Sequence, residues 1–355
     1  MRLVGAPEQT VDLAHQILEV ERLRQQLGLR HIFLGAQRHG RKAGNEHHLG
    51  LRRDLRRVLR KMAPMLLGLG VLQVNALFDG LIASWPNLQT SDTVFGVAYP
   101  LDVHAMSVLT FAQRLYQFPL GVFGVAVATV IYPLLAAQAD NRQAFTNTVR
   151  RGLRLVLFIG IPASAGMLLV RNDLVAVLLQ GGNFGTDDTH RVAFVLAGYA
   201  TSIWAYCSVQ VLTRGFYARN DLVTPVRLAM LTVVANLALN LVLIWTPLRE
   251  AGLAWSTAAC GMGQALILWV LLHRSAGDVF SGVLTGACRS VFAALVMAAA
   301  VIGVNMVLAD GTSWGASLCR LGVGLGVGIG VYAAVTSWMH MPELYWTIGR
   351  SLERD

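Results

Sequence analysis

Charge is scarce in this sequence. Of its 355 residues only 14% are Asp, Glu, Lys or Arg, while 55% are hydrophobic. A soluble domain carries about 25% charged residues, so a water-facing globular surface is excluded for most of the chain. Cysteine is scarce too. Cys207, Cys260, Cys288 and Cys319 show no C-x-x-C spacing, and all fall in or at the edge of apolar runs. They read as small apolar residues, which excludes a disulfide frame and a zinc site. His47-His48 has no cysteine or carboxylate cluster beside it and no metal role follows from it. A phosphate-binding P-loop, an H-E-x-x-H helix and a G-x-S-x-G elbow are all missing, so catalysis has no visible home and no enzyme is expected.

What the chain has is apolar runs long enough to cross a bilayer, which takes about 20 residues. Eight are expected, at 63–84, 103–137, 153–170, 191–213, 225–246, 250–272, 287–308 and 317–338. The fold class is therefore an all-α polytopic membrane protein. Pro119 and Pro133 interrupt the second run and Pro162 the third, as membrane helices tolerate when neighbours re-satisfy the backbone. The segment 171–190 reads as an outer loop whose LVAVLLQ stretch lies in the interface. Thr186, Asp187 and Asp188 read as a helix start, and Thr224-Pro225 as an N-cap followed by proline at the first helical position.

Basic residues are unevenly placed. Thirteen of the 29 Lys and Arg residues precede Met62, which fits an anionic lipid surface or an orientation signal rather than nucleic acid. Arg142, Arg150, Arg151 and Arg154 mark one loop, Arg214, Arg219 and Arg227 a second, and Arg274 and Arg289 a third. The intervening loops are poor in Lys and Arg. By the positive-inside rule both termini are cytoplasmic. No short apolar leader heads the sequence, so the first span is expected to act as its own insertion signal.

The organisation that follows is a polar region at 1–48, with an amphipathic stretch from Val11 to Leu27, and a basic interfacial helix at 49–62. Six spans at 63–282, a pair of spans at 283–340 and a cytoplasmic tail at 341–355 complete it.

Two charges fall well inside spans, Asp79 and Arg114. An ionised group at that depth is costly and is a functional candidate by default. The pair reads either as a structural ion bridge or as two separate devices. In the second case Arg114 is a cation for a phosphate or carboxylate on a cargo, and Asp79 a hard oxygen ligand for a proton or small cation. Gln113 and Gln117 flank Arg114. Asn236 and Asn240 share a helix face one turn apart, and Ser256 and Thr257 open the sixth span. Such polar residues are commonly interhelical glue, and the asparagines become ligands only if Asp79 faces them. Gly322, Gly326 and Gly330 form a small-residue seam read as close helix packing. Gly324 and Gly328 make a second smooth face, and a groove for a lipid chain is the competing reading.

The stretch AQRLYQFPLGVFGVAVATVIYPLL at 112–135 resembles the signature helix of the MurJ (MviN) family, within the multidrug/oligosaccharidyl-lipid/polysaccharide exporter superfamily. QVNALFDGLIAS (73–84), VLLQGGNFGTDDT (177–189), TRGFYARNDLVTPVRLA (213–229) and AGLAWSTAA (251–259) agree in order, so the resemblance covers about residues 55–340. It implies a lobe of a fourteen-helix transporter, corresponding to its seventh through fourteenth helices. The implied activity is flipping of an undecaprenyl-pyrophosphate-linked peptidoglycan precursor, lipid II, across the bacterial inner membrane by alternating access. The resemblance implies Arg114, with Gln113 and Gln117, at the cargo. It also implies a sodium ion near Asp79, Asn236, Asn240, Ser256 and Thr257, and a lipid groove formed by the last two spans. Gln113, Gln117 and Asn240 stand where some members carry acidic residues. The family's first six helices have no counterpart here, which implies a separately encoded N-terminal lobe, a longer reading frame or a truncated product. The competing functions are a non-transporting membrane interaction protein and an exporter of another polyprenyl-linked glycan.

Overall fold

The computed structural model of the protein describes residues 74–88, 93–94, 97–308 and 313–347. The stretches expected at 11–27 and 49–62, and the first part of the 63–84 span, lie outside them. Helix α1 covers 74–88. A two-residue antiparallel hairpin, β1 (Thr93–Val94) on β2 (Val97–Ala98), leads away from it. Then come α2 (Ala105–Pro119), a π-helical turn (Leu120–Val125) and α3 (Ala126–Ala137), followed by α4 (Arg142–Leu179), α5 (Thr186–Ala200) and α6 (Ile203–Ala218). The rest is α7 (Val223–Leu243), α8 (Ala251–Ala276), α9 (Val283–Val307), α10 (Trp314–Trp338) and the short α11 (Pro342–Thr347). Seven helical stretches among the described residues are long and apolar enough to cross a membrane.

Three of the expected spans change shape. The run expected to stop at 170 continues unbroken to Leu179, and LVAVLLQ is not a separate interfacial piece. No glycine or proline interrupts it there. Its charges are satisfied in place, Arg171 by the Leu168 carbonyl and Asp173 by Arg320. At 38 residues α4 is roughly 57 Å long, against a hydrocarbon core of about 30 Å, so it overshoots the core. The second span passes through the π-helical turn directly after Pro119, whose missing N–H disturbs the i→i−4 ladder. The fourth is two helices, α5 and α6, separated at Thr201–Ser202.

Helix starts follow local chemistry. The Asn141 side chain accepts from Ala144 N–H to open α4, and Ser313 accepts from Ala316 N–H to open α10. At the expected start of α5, Asp188 reaches back to accept Gly185 N–H at 3.0 Å. The expected Thr224 cap does not form. Asp221 instead accepts from Val223 and Thr224 N–H at 3.2 and 3.0 Å. A carboxylate outcompetes a hydroxyl there, and Pro225 still sits in the first turn, where no N–H is needed.

Packing divides into three regions. One joins α3, α4, α6 and α8 around Leu153, Ile203, Leu212 and Leu268. A second joins α1, α2, α5 and α8 around Ala83, Leu109, Leu196 and Leu253. The third joins α4 to α9 and α10 through Phe158, Met297 and Tyr332. Glycine sets the closest approaches: a Cβ on Gly198 would lie 2.8 Å from Ala254 Cβ, and one on Gly261 2.7 Å from the Tyr206 ring.

The glycine seam of α10 is the reverse of the expected one. Gly324 and Gly328 face Val170, Val301 and Met297 and are buried. Gly322, Gly326 and Gly330 leave open space, with nothing within 4 Å of where a Cβ would stand. Tyr332, Leu321 and Thr336 share the Gly324 and Gly328 face, and the large apolar side chains decide which glycines turn inward.

The arginine-rich loops gather at one end. Arg142 Nε donates to the Ala276 carbonyl, Arg219 to Ser275 Oγ, and Arg150 pairs with Asp278 at 3.2 Å. Arg154 meets Glu343 at 2.6 Å. At the opposite end Arg191 pairs with Asp102 and Glu250 at 3.0 and 2.7 Å, and Arg320 with Asp173 at 2.9 Å.

Candidate functional site

Asp79 does not pair with Arg114. Its Oδ1 accepts from Asn240 Nδ2 at 2.6 Å and its Oδ2 from Asn75 Nδ2 at 3.3 Å. The structural ion bridge is therefore not formed. Asn240 lies one turn after Asn236 on α7, and its amide also donates to Asn236 Oδ1 at 3.0 Å. Asn236 donates in turn to Thr257 Oγ1 at 3.2 Å and Ser256 Oγ at 3.5 Å, both on α8. Ser256 closes the ring by donating to Asn240 Oδ1. Asp79 is 2% exposed and Asn240 fully buried. Three helices, α1, α7 and α8, thus bring together all five residues named from the sequence.

The donor set suits a small hard cation, with one carboxylate and several neutral side-chain oxygens within a single ring. The same ring is complete without one, because the Asn240 amide nitrogen faces the carboxylate. For a cation to be held, Asn240 must turn its amide so that Oδ1 replaces Nδ2 beside Asp79. Asn236 Oδ1 and Thr257 Oγ1 are then the remaining neutral oxygens. Among the described residues, no group of three or more His, Cys, Asp and Glu side chains converges for a metal ion.

Arg114 sits nine residues past the start of α2, about 14 Å along it. It is exposed and makes no hydrogen bond or ion pair with any described residue. Gln117 is exposed on the same side. Gln113 is different. It turns inward and donates to the Tyr199 hydroxyl on α5 at 3.0 Å.

Sequence reasoning missed the aromatic layer beneath α2. Tyr116 stacks on Tyr199 with ring centroids 4.6 Å apart and planes 7° from parallel. Tyr206 donates to the Thr257 carbonyl at 3.1 Å. Nothing in an apolar run marks a tyrosine as anything but core, so the sequence carried no signal for them. Also missed were the ion pairs Asp173–Arg320 and Arg154–Glu343, whose partners are far apart in sequence.

Outside the spans, Asp102 has a clear electrostatic environment. Burial works to raise its carboxyl, but the hydrogen bond and charge of Arg191 outweigh this and hold it below the usual carboxylate range. Tyr99, whose hydroxyl donates to the Ile82 carbonyl at 2.8 Å, is pushed up to about 12 by burial.

A family model described as lipid II flippase MurJ matches residues 32–321. The match starts earlier and stops earlier than the 55–340 stretch marked by the sequence motifs. A probable lipid II flippase MurJ of Vibrio cholerae is 32% identical over 259 residues, covering 72% of this chain and 46% of that protein. A protein of the same description from Rhizobium meliloti is 32% identical, covering 70% of this chain and 44% of its own length. The chain spans about half the length of the curated relatives it matches. Among solved structures, a lipid II flippase MurJ in an inward closed conformation aligns with a TM-score of 0.66 at 20% identity, covering 84% of this chain and 56% of that one. An outward-facing multidrug resistance MATE family transporter of the MOP superfamily aligns at 0.52 and 15% identity, covering 82% of this chain and 66% of its own. These two likenesses concern the fold.

Proposed function

The chain belongs to the lipid II flippase MurJ family, and on that premise we propose that it is the cargo-facing C-terminal part of a flippase for lipid II. The cargo would be an undecaprenyl-pyrophosphate-linked peptidoglycan precursor moved by alternating access in the bacterial inner membrane. The observation that carries this reading is Arg114, an exposed guanidinium without a partner among the described residues, part-way along a membrane-spanning helix. A cation at that depth is expensive unless it faces a wet cavity or an anion. A guanidinium fork matches phosphate geometry. Gln117 lies beside it as a neutral donor and acceptor.

Asp79, Asn236, Asn240, Ser256 and Thr257 would hold a sodium ion, whose binding and release would bias the lobe between conformations. The arginine-rich end, at 142–154, 214–227 and 274–289, would face the cytoplasm together with both termini. A second lobe, supplied by a separate polypeptide or by further sequence, would enclose the exposed Arg114 in a cavity.

The test is complementation of a strain depleted of its lipid II flippase. The full chain is co-expressed with the N-terminal half of a relative. Growth supported by the native sequence and lost with Arg114→Ala, at equal membrane abundance, supports the reading. Growth with Arg114→Ala would remove Arg114 from cargo handling. A chain that co-purifies with the N-terminal half but never supports growth would instead mark a non-transporting membrane protein.

A further inference from the structure

Helix α2 buries Ala105, Val108, Leu109, Ala112 and Pro119, and the first four pack against α5 and α8 around Leu196 and Leu253. Successive residues of a helix are rotated by roughly 100°. On that wheel Arg114 falls almost opposite the buried stripe, at the middle of the exposed arc with Phe111, Gln117 and Phe118. Gln113 falls at the border between the two arcs. It is there that α2 makes its directional contact with α5, from Gln113 Nε2 to the Tyr199 hydroxyl. Tyr199 is itself immobilised, being 1% exposed and stacked face to face with Tyr116 three residues further along α2.

We propose that Gln113 is a positioning residue and not a cargo ligand. Its hydrogen bond to Tyr199, with the Tyr116 stack one turn on, sets the rotation of α2 and so aims Arg114 away from the protein interior. This deepens the flippase reading and rests on it for the meaning of Arg114, but the rotation of α2 is a property of the protein by itself.

The experiment separates the two. Gln117→Cys places a thiol on the exposed arc and leaves Arg114 in place. Cys260, Cys288 and Cys319 are changed to alanine, and the modification rate by a charged methanethiosulfonate is measured on the full chain in liposomes. The rate is compared with those in added Gln113→Met and Tyr199→Phe backgrounds and in the double variant. Tyr199→Phe removes a single hydroxyl and keeps the stack, so the measurement survives even if Gln113→Met reduces expression. Each single change is expected to shift the rate in the same direction by on the order of threefold, the size of one neutral hydrogen bond, and the double by no more than either single. In the complementation assay without the reporter cysteine, both singles should reduce growth together. Transport lost with Gln113→Met but unaffected by Tyr199→Phe, with unchanged thiol rates, overturns the proposal and makes Gln113 a cargo contact. Shifted thiol rates with no effect on growth keep the positioning role and count against the flippase reading instead.

Discussion

Asn240 holds Asp79 across 161 positions of sequence, its amide donating to the carboxylate at 2.6 Å with both side chains buried. Because that amide has its oxygen turned away, toward Ser256, the ring has two arrangements available. One, described above, has the asparagine nitrogen on the carboxylate; the other, which the proposed sodium ion would require, would turn the amide so that its oxygen faces the carboxylate.

The first prediction concerns that exchange. Sodium, added to the purified chain in potassium-free buffer, should raise its unfolding temperature, and Asp79→Asn should abolish the rise while remaining folded. A sodium shift of the same size in Asp79→Asn would take the ion elsewhere.

Asn240→Leu is expected to be more damaging than Asp79→Asn. It leaves the buried carboxylate with only the longer Asn75 contact, and loss of a charge-assisted hydrogen bond costs about 1.5–3 kcal/mol. Combining Asn240→Leu with Asp79→Leu should recover much of the loss, because no unpaired charge is left. Thermal unfolding of the two variants in detergent reads this directly, and a double variant no better than the single would count against the carboxylate as the cause.

The carboxyl of Asp102, held below its ordinary value of 3.8 by Arg191, gives a pH signature. A folded value lower than the unfolded one stabilises above pH 3.8 and loses that contribution as pH falls through the folded value. Asp102→Asn should therefore lower the unfolding temperature at pH 7 and lower it less at pH 2.5. The pair is half exposed, so the effect is small, ~0.2–1 kcal/mol. An equal difference at both pH values would exclude the charge as its source.

The two glycine faces of α10 should respond oppositely to bulk. Gly324→Leu drives a side chain into Val170 and Val301, and overpacking of this kind costs about 1–3 kcal/mol. Gly326→Leu meets open space and should leave stability unchanged or higher. A comparison of unfolding temperatures settles which face packs.

For orientation, Asp187→Cys should react with an impermeant maleimide in intact cells and Asn220→Cys only after permeabilisation, with Cys288 and Cys319 replaced. Both positions are exposed, at opposite ends of the bundle. The reverse pattern would invert the topology.

Much of this was readable because lipid is a demanding solvent. Long apolar runs can only be helices there, and Arg142, Arg219 and Arg274 mark one end of the bundle before any contact is known. Boundaries were less readable where partners are remote. Asp173 looked like loop because its arginine lies at 320. The role of Asn240 could not be read from spacing, which allowed either packing or ligation and needed α1 placed against α7. Glycines gave the least, since a residue without a side chain says nothing about which way its helix is turned, and Val170, Met297 and Tyr332 decided it.

Two ties hold α10 to α4 at different heights, Asp173 to Arg320 at one end and the Tyr332 hydroxyl on the Phe158 carbonyl at 2.7 Å further along, and a third, Arg154 to Glu343, holds the following helix α11 to α4. A rod fastened at two points along its length, with the segment after it fastened as well, resists swinging against its partner. The open glycine face of α10 therefore travels with α4 whenever α4 moves. An acyl or prenyl chain lying along that face would be carried as luggage on the moving body and would not be squeezed between parts that slide.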